Sequence, residues 1–296
     1  MRRGRLLPYI LIAPALALLA AFKFYPVGKA FYLSVLRYDL TEVMIKGAPF
    51  VGLSNFKEIL VGEGAARFWN AIRNSLFWVG GSVGAQFCIG LAMALVLHQR
   101  FKGRGFFRAM VLCPWAISGV IISFIWSWML HGQVGIINDV LMKLRVISGP
   151  IGWLAHPVTA MISVIMANAW KGSAFFAVTL LAALQSIPEE LYEAAAMDGA
   201  GRVGRFRYVT VPMIRDMIVL TTALRCIWTF NNVDLIYVMT GGGPVNATET
   251  LAVHIFMSFL KQLRLGYGCA LAVVLFFVLM TFTVVYFKMT KFGEAR

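Results

Sequence analysis

The sequence predicts an all-α membrane protein with six transmembrane helices and both ends on the cytoplasmic side. Hydrophobic residues make up 60% of the 296 residues and charged residues only 14%, where a soluble domain carries about 25% charged residues. Mean hydropathy is +0.77. The apolar residues gather into runs near the roughly 20 residues that cross a bilayer core of about 30 Å as a helix. Lys and Arg concentrate between alternate runs, as cytoplasmic loops do. A soluble globular enzyme, a disordered chain and a disulfide scaffold are excluded by the same composition. A net charge of +14 would suggest nucleic acid in a soluble chain. In a membrane chain the cytoplasmic loops account for it, and no nucleic-acid partner is expected.

The first run is Leu6 to Phe22, preceded by Arg2, Arg3 and Arg5 and followed by small residues near Ala20. A secretory signal peptide shares that pattern, but five further runs favour a retained helix. The second is Ser75 to Leu97 and the third Ala109 to Leu130. The fourth, Pro157 to Ile187, is interrupted only by Lys171. The fifth, Met217 to Val233, contains Arg225, and the sixth, Leu265 to Phe287, has no charge. Residues 54 to 72 read as an amphipathic helix around Phe56, Ile59 and Leu60. Residues 249 to 263 read similarly, with Leu251, Ile255 and Phe259 at a spacing of four. Both are expected along the outer surface.

Orientation follows from the short loops. Arg2, Arg3 and Arg5, then Arg100, Lys102, Arg104 and Arg108, then Arg202, Arg205, Arg207 and Arg215, then Lys288, Lys291 and Arg296 share one side if both ends are cytoplasmic. The first outer segment also holds Lys46, Lys57, Arg67 and Arg73, but it is longer, and Asp39, Glu42, Glu58 and Glu63 accompany them.

Metal and catalytic chemistry is not visible. Cys88, Cys113, Cys226 and Cys269 sit in or beside apolar runs without ligand spacing and read as small hydrophobes. His98, His131, His156 and His254 are dispersed. No convergent Ser-His-Asp set or intramembrane Asp pair supports an intramembrane enzyme. An ion-coupled secondary transporter would need coupling-ion sites and often an internal repeat, and the sequence displays neither. Gly241 to Gly243 lack the Gly-Lys-Ser/Thr ending of a phosphate loop and read as a turn at Pro244.

The informative segment joins the fourth and fifth runs. Ser186 and Glu189 have the spacing of a capping box, with Pro188 in the first turn. Leu191, Ala194 and Ala195 then share one face. Gly199 stands where a helix end calls for a left-handed residue, and a second short helix is expected from about Gly201 to Val209, stopping before Pro212. Two short helices joined at a glycine, with small residues on the first and Arg202, Arg205 and Arg207 around them, make a docking knob. The same residues also suit a plain interfacial loop helix rich in Ala.

Glu193-Ala194-Ala195, then Asp198-Gly199-Ala200, then Phe206 and Pro212 resemble the EAA loop of ABC importer permeases. Asp234 to Pro244 followed by Asn246 to Thr250, the pair Trp170-Lys171, the pair Ala13-Pro14 and the stretch Val51 to Phe56 are similar to carbohydrate importer permeases of the MalF and UgpA type. The resemblance implies a type I ABC importer (MetI-like) permease fold in the cytoplasmic (inner) membrane. It treats residues 1–296 as a single transmembrane domain, with a core of five helices over about residues 70–290 and a coupling loop at 186–212. It implies that Glu193, Ala194, Ala195, Asp198 and Gly199 couple the chain to an ATPase. Asp216 stands about where the family often has a second proline, which leaves the entry into the fifth run open.

The resemblance implies further partners: a second, MalG/UgpE-like permease subunit, two ATP-binding cassette subunits that hold ATP and Mg, an extracytoplasmic solute-binding protein, and membrane lipid. No cofactor or ATPase site is expected in this chain. The expected substrate is a sugar, oligosaccharide or sugar derivative, moved by alternating access. The same machinery importing glycerol 3-phosphate or a glycerophosphodiester is the alternative that Lys171 and Arg225 would suit.

Ionisable groups within spans mark functional sites, because leaving them in lipid is costly. Lys171 and Arg225 are such groups, with Asp234 near the outer end of the fifth run. Arg225 and Asp234 are nine residues apart, about 180° around a straight helix, so pairing within one helix is disfavoured. Asn168, Trp170, Trp228, Asn231 and Asn232 add amides and aromatic faces. Sugars are bound by that mix, so Asn168, Trp170, Lys171, Trp228, Asn231, Asn232 and Asp234 are the candidate substrate pathway. The competing roles are interhelical hydrogen bonding for Asn and the interface belt for Trp.

Overall fold

The computed structural model describes residues 3–292. Arg2 and Arg296 lie outside them. Every regular element of the described residues is helical. The chain divides into two compact units. One holds the residues up to Phe68 with His254–Val278, the other Trp69–Val253 with the residues from Leu279 onward.

In the first unit, α1 (Arg3–Leu19) continues through a π turn (Ala20–Phe24) into α2 (Tyr25–Ser34). The helix therefore runs twelve residues beyond the expected Phe22, and the apolar window shifts to Leu11–Ser34. Pro26, Lys23 and Lys29 do not end the helix. Pro26 falls in the first turn of α2, where its missing N–H is harmless, and exposed Lys23 and Lys29 have stems long enough to carry their charge away from apolar surroundings. Of Leu11–Ser34 only Ser34 is buried.

After α3 (Val43–Lys46) comes α4 (Ser54–Leu60). The expected helix over 54 to 72 is broken, since the next begins only at Ala65. Gly62 and Gly64 explain the break. A Cβ on Gly62 would stand 2.8 Å from Glu58 Cα, and one on Gly64 would stand 2.5 Å from Tyr267 Oη. Ile59 is fully buried, and buried Asn55 donates to the carbonyls of Ser34 (2.7 Å) and Leu36 (2.9 Å).

Arg264 closes this unit. Its Nη1 and Nη2 donate to the two oxygens of Glu58 at 2.9 and 2.8 Å, Asp39 lies 3.8 Å from Nε, and the Tyr267 ring lies 4.6 Å below the guanidinium. The Glu58 hydrogen bonds raise the Arg264 pKa above its usual value. A raised cation contributes its full stabilisation below the ordinary Arg range and loses it only above, so this contribution is flat around neutral pH. Both partners are about a third exposed, which limits the pair's worth to about 1 kcal/mol. Glu58→Gln is expected to lower thermal stability by that amount, most visibly at low salt. An unchanged melting curve would exclude the role.

In the second unit, α5 (Ala65–His98) and α9 (Pro157–Gln185) are continuous and apolar enough to span a membrane. The third run is not one straight helix. It divides into α6 (Arg104–Ala116) and α7 (Gly119–Met129), bent by 94°. Pro114 withholds an N–H from α6, and Ile117 and Ser118 are extended before α7 restarts at Gly119. Beyond it, α8 (Ile136–Lys143) is anchored by Asn138. Its amide donates to the carbonyls of Gly132 and Ile151 at 2.9 Å each, and its Oδ1 accepts from Trp153 Nε1 at 2.8 Å.

After α9 come α10 (Glu189–Met197), α11 (Arg202–Arg205), a π turn (Phe206–Thr210), α12 (Val211–Met213) and α13 (Arg215–Phe230). The fifth run is also broken. α13 stops at Phe230 and α14 (Asp234–Thr240) restarts after three residues. α15 (Leu251–Leu260) and α16 (Leu265–Thr290) complete the chain. Against expectation α15 does not lie along a surface. Leu251, Ala252, Val253, His254, Met257 and Ser258 are buried, because its small and apolar side chains surround the helix rather than forming a single stripe. Among the described residues, four helices are long and apolar enough to cross a membrane, five if the bent pair is one span.

Candidate functional site: the inter-helix loop and an intramembrane polar cluster

The loop is built as a projecting helix. α10 has no buried residue, although Leu191 and Met197 are apolar and 40% and 89% exposed. The capping box does not form. Pro188 is the N-cap, without a side-chain bond, and Ser186 Oγ instead donates back to the Ala183 carbonyl at 2.8 Å. The C-terminal end is as the sequence implies. Gly199 has φ +82°, the Gly199 amide donates to Ala196 and the Ala200 amide to Ala195. This pair of bonds closes the last turn around a left-handed residue.

The second helix does not stop before Pro212. It passes through the π turn, which widens the ladder, and Pro212 then occupies the start of α12. The Tyr192 hydroxyl meets Thr210 Oγ1 at 3.0 Å and ties the two arms together. Glu193, Ala194, Asp198 and Gly199 are all exposed, and Ala195 is half-buried. Val203 and Tyr208 add exposed apolar surface, at 79% and 76%.

The second constellation lies among α5, α7, α9, α13 and α14. Arg225 is nearly buried. Its Nε donates to Gln86 Oε1 at 2.8 Å, and Gln86 Nε2 donates to the Asn168 carbonyl at 3.0 Å. The guanidinium lies 6.0 Å from the Phe175 ring centre and 5.9 Å from that of Trp228, within cation–π range. Gly172 makes room for this, because a Cβ there would run into the Gln86 amide and the Arg225 guanidinium. Trp78 Nε1 also donates to the Thr229 carbonyl at 2.9 Å.

Lys171 and Asp234 converge on Gly119, the first residue of α7. A Cβ there would stand 3.3 Å from Lys171 Nζ and 3.8 Å from Asp234 Oδ2. The two helix breaks therefore face α9 at the same place. Trp170 packs edge-on against Trp126, with ring centres 6.2 Å apart.

The candidate pathway residues divide. Trp170, Trp228 and Asn231 are exposed, and Lys171 and Asp234 share the Gly119 surface. Asn231 donates back to the Ile227 carbonyl at 2.8 Å, and Asn232 Oδ1 accepts the Leu235 amide at the start of α14. Asn168 is buried, and its amide nitrogen is enclosed without a partner. Sequence reasoning missed Gln86, Phe175, Trp126 and Gly119. Gln86 was detectable as the one amide in an otherwise apolar run. The others become visible only when the bends bring α7 and α14 to α9.

Residues 86–290 match the family model of binding-protein-dependent transport system inner membrane components. The chain is 36% identical to the trehalose/maltose transport system permease protein MalF of Thermococcus litoralis, over 97% of this chain and 94% of that protein. It is also 36% identical to the sulfoquinovosyl glycerol transport system permease protein SmoG of Agrobacterium fabrum, over 97% and 91%. Its fold is similar to a chain in the crystal structure of a bacterial alginate ABC transporter in complex with an alginate pentasaccharide-bound periplasmic protein. That likeness has a TM-score of 0.80 at 21% identity and covers 96% of this chain and 93% of that one. The exposed inter-helix loop, the apolar spanning helices and the match over most of the chain lead to one conclusion: this protein belongs to the family of binding-protein-dependent transport system inner membrane components, the permease subunits of ABC transporters.

Proposed function

We propose that this chain is the permease subunit of an ATP-driven importer that carries a sugar, oligosaccharide or sugar derivative across the cytoplasmic membrane by alternating access. The observation that carries the reading is α10, a helix with no buried residue that presents Leu191 and Met197 and ends on left-handed Gly199. An isolated subunit gains nothing from that exposure, whereas a partner's groove would cover it. Glu193, Ala194, Ala195, Asp198 and Gly199 are the coupling residues in this reading. The sugar class is supported by the names of the relatives and by the amides, cations and indoles of the polar cluster.

ATP and Mg are held by two ATPase subunits, not by this chain. A second permease subunit and an extracytoplasmic binding protein complete the importer. Residues 1–296 act as one transmembrane domain with six spans, both ends cytoplasmic, the fifth crossing being α13 with α14. Asn231 and Asn232 lie at the break between those two helices, where the backbone is free to open toward a substrate.

Uptake into proteoliposomes of the complete importer tests this reading. It is expected to require internal-side ATP and the binding protein, and to persist without an ion gradient. Uptake driven by a gradient without ATP would replace the reading with an ion-coupled carrier. Asn231→Ala with Asn232→Ala is expected to abolish both uptake and substrate-stimulated ATP hydrolysis. Unchanged values would remove these residues from the pathway.

A further inference from the structure

A site of a different kind lies where α5 turns into α6. An apolar cavity of about 430 Å³ is lined by Met93, Val96, Leu97, Phe101, Phe107 and Val111, with Ala92. Phe101 also borders a second, open cavity of about 450 Å³, whose other walls are Arg100, Lys102 and Arg104. Leu97 and Val111 form a common wall with a third cavity of about 240 Å³, into which Arg108 projects beside Val178, Leu181 and Gln185. Arg108 Nε and Nη2 are enclosed there without any hydrogen-bond partner.

Membrane topology alone calls for basic residues in such a loop. It does not call for an apolar hollow at the loop's root, nor for a guanidinium with two enclosed and unpartnered nitrogens. A buried donor group left unpaired is costly, and a charged one more so. No carboxylate stands in the loop itself. Glu189 lies 3.9 Å from Arg100, and both side chains are more than four-fifths exposed, so that contact does little to neutralise the group.

We propose that Arg100, Lys102, Arg104 and Arg108, with the apolar cavity beside them, form a site for one anionic phospholipid of the leaflet that this loop faces. The phosphate lies among the cations, with Arg108 as its innermost contact, and an acyl chain fills the hollow between Val96, Phe101 and Phe107. Basic pockets between membrane helices take anionic headgroups on this principle. The Phe101–Phe107 contact, with ring centres 5.8 Å apart, forms the boundary between the wet and the apolar halves. Nothing in this assignment depends on what the importer carries.

Native mass spectrometry of the purified importer complex tests it, with phosphatidylglycerol, phosphatidylethanolamine and inorganic phosphate as probes. The unaltered complex is expected to keep phosphatidylglycerol through detergent exchange and to release phosphatidylethanolamine. Arg108→Gln, which leaves the three loop cations and hence the topology in place, is expected to reduce retention several-fold, and Arg108→Lys to restore most of it. Val96→Trp fills the hollow without altering charge and is expected to reduce retention as well. Equal retention in all variants would overturn the proposal. So would displacement of the lipid by inorganic phosphate alone, which would mark a simple anion site. Retention only after the ATPase subunits are stripped away would also overturn it, because the face would then be a protein interface.

Discussion

Gly199→Val is expected to leave an importer that assembles and hydrolyses ATP but takes up at least about tenfold less substrate. That factor corresponds to the roughly 1–2 kcal/mol by which the left-handed conformation is disfavoured for a residue with a side chain. The backbone at Gly199 has φ +82°, and no atom lies within 4 Å of where a Cβ would be. The substitution thus meets no steric obstacle, and its whole effect comes through the backbone, which would leave the left-handed region and swing α11 away from α10. Gly199→Asn serves as the control, because Asn enters that region more readily than other residues with side chains. It is expected to retain most of the uptake. Measuring uptake and ATP hydrolysis together in proteoliposomes separates the outcomes. Full uptake by Gly199→Val would end the coupling role of this turn, and equal failure of the Asn variant would point to the missing glycine surface rather than to backbone conformation.

Gln86→Leu is expected to destabilise the protein by about 2–3 kcal/mol, since it strands a nearly buried guanidinium without its acceptor. Among the described residues, Arg225 has one hydrogen-bonded side-chain partner, Gln86 Oε1, and two ring faces that are no substitute for a lone pair. Gln86→Glu keeps an acceptor at the same reach and is expected to retain the fold. Thermal unfolding of the purified importer, followed by intrinsic fluorescence, reads the effect through Trp228, whose indole is stacked near Arg225. If Gln86→Leu melts with the unaltered protein, the hydrogen bond contributes nothing and Arg225 is held by its rings alone.

Composition and run length were enough to find α5, α9 and α16, because a helix that must satisfy every backbone group within itself leaves a long uninterrupted apolar run. The same criterion marked the third and fifth runs, where helices stand, but did not reveal their breaks. Pro114 was visible in the sequence, yet a proline inside a membrane helix often only kinks it. The 94° bend also needs Ile117 and Ser118 extended, which no residue type dictates. The break after Phe230 is quieter still, since Asn231 and Asn232 carry ordinary helix propensities, the first bonding back to α13 and the second accepting the Leu235 amide of α14.

In the loop, Gly199 was legible because a left-handed residue has few chemical solutions. The capping box was not, because Ser186 had a competing acceptor in the Ala183 carbonyl one turn back. Lys171, Arg225 and Asp234 announced themselves by their charge. Their grouping around Gly119 and Gln86 depends on which helix faces are turned together, and that is tertiary information.

The Arg225–Gln86 bond has a mechanical consequence. α13 runs unbroken from Arg215 to Phe230, a rod of about 24 Å at 1.5 Å per residue. One end continues into the projecting loop and the other stops at the Asn231 break. Arg225 divides the rod into arms of about 15 Å on the loop side and 8 Å on the other. Thr229, near the far end, is fastened to α5 as well, its carbonyl accepting from Trp78 Nε1. The short arm beside Asn231 is thereby pinned to α5 at two points about one turn apart, so a push on the loop would be taken up along the longer arm before it reached the break.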